Sequence, residues 1–219
     1  MNVNSRRAWL RGAAAGGVAL GLSGLRQALA AGMVDEGVHR VRGEARINGV
    51  PARRGMHVKP GDVITTGRDA ELVVVMARDA YLVRGNTRIE FAAQAAQSAA
   101  SLLRVVTGAL LSVFEPGSIK QIRTQTAAIG IRGTGVYIEA EAARTYVCTC
   151  YGIAELVPLG DPQEAETVRT THHDQPRYIY PKGMPRMIDY APVVNHTDAE
   201  LVLLESLVGR RPPFMPGYF

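Results

Sequence analysis

Gly43–Thr66 reads GEARINGVPARRGMHVKPGDVITT. Short runs of strand formers alternate here with turn residues. Asn48-Gly49 is the strongest hairpin signal in the chain, because both residues tolerate the positive φ of a tight type I′ turn. Gly55, Pro60-Gly61-Asp62 and Gly67 mark further turns. The same punctuation continues outward. Strand-forming runs fall at Val38–Ile47, Glu71–Met76, Ala80–Arg84, Thr87–Phe91, Leu102–Thr107 and Ala109–Phe114. They resume at Ile119–Thr124, Gly135–Glu141, Tyr146–Tyr151 and Ile153–Pro158, with Gly85-Asn86 and Gly108 as breaks. Many short strands at near-regular spacing predict a mostly β domain: a sandwich, a roll or a solenoid-like arrangement. Ala92–Ala100 (AAQAAQSAA) lacks β-branched residues and is expected to form a loop or a short helical detour.

Both ends of the chain differ from this body. Ser5-Arg6-Arg7-Ala8-Trp9-Leu10-Arg11 is a paired-arginine segment, followed by a Gly- and Ala-rich apolar run from Gly12 to Leu25, then Arg26 and the small-x-small site Ala28-Leu29-Ala30. This order resembles a twin-arginine export signal cleaved after about Ala30; an ordinary Sec signal with a chance Arg pair is the alternative. The apolar run is short of the roughly 20 residues that span a bilayer. Residues 1–30 are therefore read as a signal, 31–180 as the β domain, and 181–219 as a Pro-rich linker, helix and tail. The reading places the remainder of the chain in the periplasm with no membrane span.

The signal also absorbs the charge. The chain is formally +5 with a pI near 9.5. Arg6, Arg7, Arg11 and Arg26 account for four of the 25 basic residues and no acidic residue lies beside them, which leaves 21 against 20 acidic ones. The balance gives no basis for a nucleic-acid partner.

Near the C-terminus, Pro181, Pro185 and Pro192 argue against regular strands. His196-Thr197-Asp198-Ala199-Glu200 then opens a helix, with Thr197 and Glu200 in capping-box spacing. Leu201, Leu204, Leu207 and Val208 form its apolar stripe, and Gly209 with Pro212-Pro213 ends it. Phe214–Phe219 are expected to run extended over the surface.

Gly43–Thr66 resembles the opening of the FecR-like periplasmic domain: a short strand, an Asn-Gly turn, then G-x-x-V-x-x-G-D-x-I-x-T. Leu110–Phe114 and Ile122–Thr134 (IRTQTAAIGIRGT) are similar to that family's later core, so the resemblance spans about Val38 to Pro158. It implies the family's β fold. The best-known members place a cytoplasmic anti-sigma segment and one membrane helix ahead of the domain. Neither pattern is seen here, so the resemblance is expected to carry the fold and not the sigma-factor role. A stand-alone exported domain of this kind is expected to be a non-catalytic binding or regulatory module for an envelope protein, a glycan or a small ligand.

The residues themselves offer one place for chemistry. In a strand, Cys148 and Cys150 face one side with Tyr146, while Val147, Thr149 and Tyr151 face the other. Thiols so spaced sit about 6.5–7 Å apart at Cα, at or beyond the limit for a relaxed disulfide. Three readings are open: two small core residues, a strained redox-active bridge on a bulged strand, or half of a metal site. For the last, His172, His173 (with Asp174 beside them) and His196 are the available further ligands, and two thiolates with imidazole suit zinc or copper(I). Adjacent His172 and His173 on a strand would face opposite ways, so one of them is expected to join. Taken singly, the first two fit a polar turn and His196 the position before a helix cap. The Cys-x-Cys spacing on a strand differs from the Cys-x-x-Cys at a helix N-terminus used by thiol-disulfide oxidoreductases. Gly130–Gly135 lacks the Lys and following helix of a phosphate loop and is read as a glycine corner between strands. Ser112 and Ser118 lack a G-x-S-x-G setting, and Glu139, Glu141, Arg123, Arg132 and Arg144 read as solvated surface charges.

Overall fold

The structure, a computed structural model, describes residues 35–93 and 101–215. The expected export signal, most of Ala92–Ala100 and residues 216–219 lie outside the described residues. The described chain is mostly β. Its strands are β1 (Gly37–Arg42), β2 (Ala45–Ile47), β3 (Val50–Pro51), β4 (Val63–Thr66), β5 (Glu71–Met76), β6 (Asp79–Val83) and β7 (Arg88–Phe91). They continue as β8 (Ser101–Val113), β9 (Ile119–Arg123), β10 (Ala127–Ala140), β11 (Thr145–Pro158), β12 (Glu166–Thr170), β13 (Arg177–Ile179) and β14 (Ile188–Tyr190). Among the described residues one α-helix follows, α1 (Asp198–Leu207), and a 3-10 turn at Pro162–Glu164 precedes β12. No described helix is long and apolar enough to cross a membrane.

Asn48 (φ +51°) and Gly49 (φ +79°) make the β2–β3 hairpin as the sequence predicts. Elsewhere the strand breaks fall differently. Val38–Ile47 divides into β1 and β2 at Gly43. Leu102–Thr107 and Ala109–Phe114 instead merge into β8. Gly108, at φ +87°, lets this strand bend without ending: before it β8 pairs with β7 and β9, after it with β6 and β10. Because β9 also pairs with β10, the three strands close on themselves. Gly130–Gly135 is likewise no corner between strands. It lies within β10, where the register to β11 shifts between Arg132 and Gly135 as a bulge does. The prolines do not exclude β14, a three-residue strand at the sheet's edge that fits between Pro185 and Pro192 and pairs only with β13. Residues 213–215 turn rather than run extended, with Met215 N bonded to Pro212 O at 3.2 Å.

Two apolar layers result. One lies inside the curled sheet, around Ile64, Leu72, Val83, Ile89, Leu110, Ile122, Ile129 and Ile138. The other covers the opposite face of β5, β6, β8, β10 and β11. It joins Val73, Val75, Leu82, Leu111, Tyr137, Tyr146, Cys148 and Cys150 to Leu201, Leu204, Leu207 and Val208 of α1 and its end. The helix starts as its sequence predicts: Thr197 and Glu200 form a reciprocal capping box, and Gly209 (φ +70°) follows its end.

Candidate metal centre

The cysteines lie in the middle of β11, and the pairing of that strand explains what reaches them. Thr145–Val147 pair with β13, and Gly152–Leu156 pair with β12. Neither strand covers Cys148–Cys150. The chain from β12 to β13 bends out over this gap, tied down by Thr170 Oγ1 donating to Thr149 O at 2.6 Å and His173 N donating to Cys150 O at 3.0 Å. His173 takes a left-handed φ of +51° there, a conformation uncommon for a residue with a Cβ. That bend, not strand alternation, separates His172 from His173.

The bend brings His173 Nδ1 to 3.4 Å from Cys148 Sγ. From the other side comes His196, which directly precedes the helix cap. Its Nε2 lies 3.0 Å from His173 Nδ1, and its ring stacks on Tyr137 at 4.5 Å between centroids. One ligand atom from each of Cys148, Cys150, His173 and His196 thus falls within 4.8 Å of all the others. Cys148 and Cys150 are fully buried and His196 is 7% exposed. Both thiols are free, so the bridge weighed from the sequence is not formed.

Each imidazole is braced from behind. His173 Nε2 donates to Asp198 Oδ1 at 3.0 Å, and His196 Nδ1 donates to Val194 O at 2.6 Å. These bonds leave the Nδ1 lone pair of His173 and the Nε2 lone pair of His196 turned towards each other and towards the sulfurs. Two facing lone pairs at 3.0 Å need a positive charge between them. Against the lowering effect of burial, the Cys148 and Asp198 partners lift the pKa of His173, which favours a proton there. Cys148 is shifted the opposite way. Its pKa is pulled down to about 4, first by the Cys150 thiol and, against burial, by His173 and His196. Burial pushes Cys150 well above the usual thiol range, and its Sγ lies 3.6 Å from Cys148 O.

A metal cation is the other way to fill the same space. With bonds of about 2.3 Å to sulfur and about 2.0–2.1 Å to nitrogen, a zinc tetrahedron has N···N edges of about 3.3 Å and N···S edges of about 3.5 Å. The 3.0 and 3.4 Å separations lie close to these edges. The imidazole bonds to a carboxylate and to a backbone carbonyl are those that orient histidines on metals.

Of the residues singled out in the sequence, Cys148, Cys150, His173 and His196 converge, whereas His172 lies in a second group with His173 and Asp198. His172 is bonded through Nε2 to Asp198 Oδ1 at 2.9 Å and packs on Phe214 at 4.4 Å, on the outer side of the cluster. Asp174 is exposed and takes no part. Tyr151 is a correction to the alternation: Gly135 pairs with Tyr151 and Val136 with Thr149, so Cys150 is the extra residue of a bulge. Tyr151 therefore shares the cysteines' face, where its hydroxyl donates to Glu205 at 2.5 Å. Sequence reasoning missed Asp198, which reads as an ordinary acidic residue in the first turn of a helix. Only the fold shows that it holds two histidines.

No family profile and no curated protein matches the chain. Among solved structures, two crystal structures of a candidate anti-sigma factor from Parabacteroides distasonis align with it. Each has a TM-score of 0.48 and 13% identity over 59% of this chain. The aligned part is 58% of that protein's chain, and a likeness of this size assigns no activity.

Proposed function

We propose that the protein is a metal-binding module whose centre is Cys148, Cys150, His173 and His196. The observation that carries this reading is the convergence of four soft donors within 4.8 Å, with both imidazoles braced by second hydrogen bonds. Four protein ligands close a tetrahedron and leave no position for a substrate, so the centre is structural or regulatory rather than catalytic. Charge selects the ion. Two thiolates balance a divalent cation, whereas copper(I) would leave a net negative charge among buried side chains, which is costly. Zinc(II) is the ion we assign. Zinc added to metal-free protein should bind one per chain, and Cys148→Ser should abolish it while the β signature in circular dichroism persists. Binding that survives the substitution would remove Cys148 from the centre.

The centre belongs to a module acting in the bacterial cell envelope. Support for this location is the Ser5–Arg11 and Ala28–Ala30 pattern, and a fusion of residues 1–35 to a reporter that requires folded export tests it. A second reading, recognition of an envelope protein, a glycan or a small ligand by a FecR-like regulatory module, is supported by the Gly43–Thr66 and Ile122–Thr134 motifs. A cleft of about 400 Å³ lined by Arg132, Ile153, Glu155, Thr167 and Arg169 offers it a surface. Affinity capture from envelope extract, repeated with Arg132→Glu and Arg169→Glu, tests it: a partner retained equally by both variants does not use this cleft.

A further inference from the structure

The four ligands come from two separately built parts of the molecule. Cys148 and Cys150 belong to β11, and His173 to the bend between β12 and β13. His196 immediately precedes the cap of α1, and Asp198, which fixes His173, is the first residue of that helix. Between β14 and α1, residues 191–197 form neither helix nor strand. Val194, whose carbonyl orients His196, has its own N–H directed at the Tyr146 hydroxyl at 3.3 Å. The segment leading into α1 is tied to the β body by Ala191 N donating to Pro176 O at 3.1 Å, the Tyr146 hydroxyl donating to Pro192 O at 2.9 Å and Asn195 Nδ2 donating to Glu139 at 2.7 Å, and between them by Val194 and His196 at the centre.

Beyond the centre, α1 is held by its apolar stripe and two charged anchors. Arg84 Nη2 reaches Glu200 at 2.7 Å and Asn195 O at 3.0 Å, and Glu205 takes Tyr151 and Arg210. The stripe packs on β6 and β8, in one apolar layer with Val73, Val75, Leu82, Leu111 and Val113, all buried. A ten-residue helix does not persist in water without such a surface, so undocking and unwinding are one event.

We infer that the centre is a clasp: metal occupancy keeps α1 on the sheet, and loss of the metal frees the helix and uncovers an apolar face on β6 and β8. The inference rests on the metal reading above and adds that the ion controls the exposure of a surface. The inner layer holds none of the four ligands, so the β body is expected to remain folded when the clasp opens.

Hydrogen exchange read by mass spectrometry on the whole chain tests this, comparing zinc-loaded, chelator-treated and zinc-restored protein, with the metal content of each sample measured. Peptides covering Ala191–Val208 should exchange at least about tenfold faster after chelation and recover with zinc, while β10 keeps its protection. Leu204→Ala leaves every ligand in place but weakens the docking, and should speed α1 exchange in loaded and stripped protein alike while the zinc-dependent ratio persists. One zinc per chain with unchanged α1 exchange would overturn the clasp and leave the metal reading intact. Loss of β10 protection together with α1 would also overturn it, since the ion would then hold the whole fold. A chain that retains no zinc at all defeats the metal reading, and the clasp with it.

Discussion

Asp198 shows how much of the candidate site is set by a group outside the four converging side chains. Its Oδ1 accepts from both His172 and His173, and these two partners outweigh the effect of partial burial and hold its pKa below the usual carboxylate range. With Nε2 of His173 engaged, Nδ1 is the atom offered to the sulfurs. Asp198→Asn keeps the shape but presents an amide that can donate instead of accept. Zinc affinity should fall about 10- to 100-fold, as removal of such a supporting group does elsewhere. Competition against a chromogenic chelator measures it; unchanged affinity would show that the bend alone orients His173. His172→Ala, by contrast, removes no ligand and should leave one zinc per chain, also read by chelator competition.

At the scale of elements, two single residues govern where strands bend and where the helix begins. A Cβ on Gly108 would sit 2.5 Å from Thr87 Cα, at a φ of +87° that side chains rarely adopt. Gly108→Ala should therefore destabilise the protein by more than about 2 kcal/mol, read as a lowered urea midpoint. Thr197→Ala removes one half of the capping box and should cost about 1 kcal/mol, a smaller fall in the same midpoint. The contrast explains what was legible in the chain. The hairpin at Asn48-Gly49 and the capped helix at Thr197 are local events, fixed by neighbouring residues, and they could be read directly. Gly43 and Gly108 carry the same sequence mark, yet one separates two strands and the other bends a single one. The difference lies in the strands that meet β8 on either side of Gly108, which come from far along the chain. β14 was missed for a related reason: prolines exclude a central strand but not a short edge strand.

At the scale of the molecule, the fold's work is to gather residues that the sequence scatters. His173 and His196 lie 25 and 48 positions beyond Cys148. Their types suggested a metal site, but their meeting required a gap between β12 and β13, a left-handed bend and a docked helix. The sequence named the four residues that converge and could not exclude His172, because the alternation rule that separates neighbours on a strand does not apply on a bend. A ligand set drawn from distant segments couples metal binding to folding. Zinc at 100 times its dissociation constant should add about 2.7 kcal/mol to stability and raise the melting temperature. The gain should vanish in Cys148→Ser.

X-ray absorption at the zinc edge of the loaded protein reads the ion's neighbours in one experiment. A centre of Cys148, Cys150, His173 and His196 gives two sulfur neighbours at about 2.3 Å and two nitrogen neighbours at about 2.0–2.1 Å. A shell of oxygen and nitrogen alone would place the ion away from Cys148 and Cys150 and overturn the assignment.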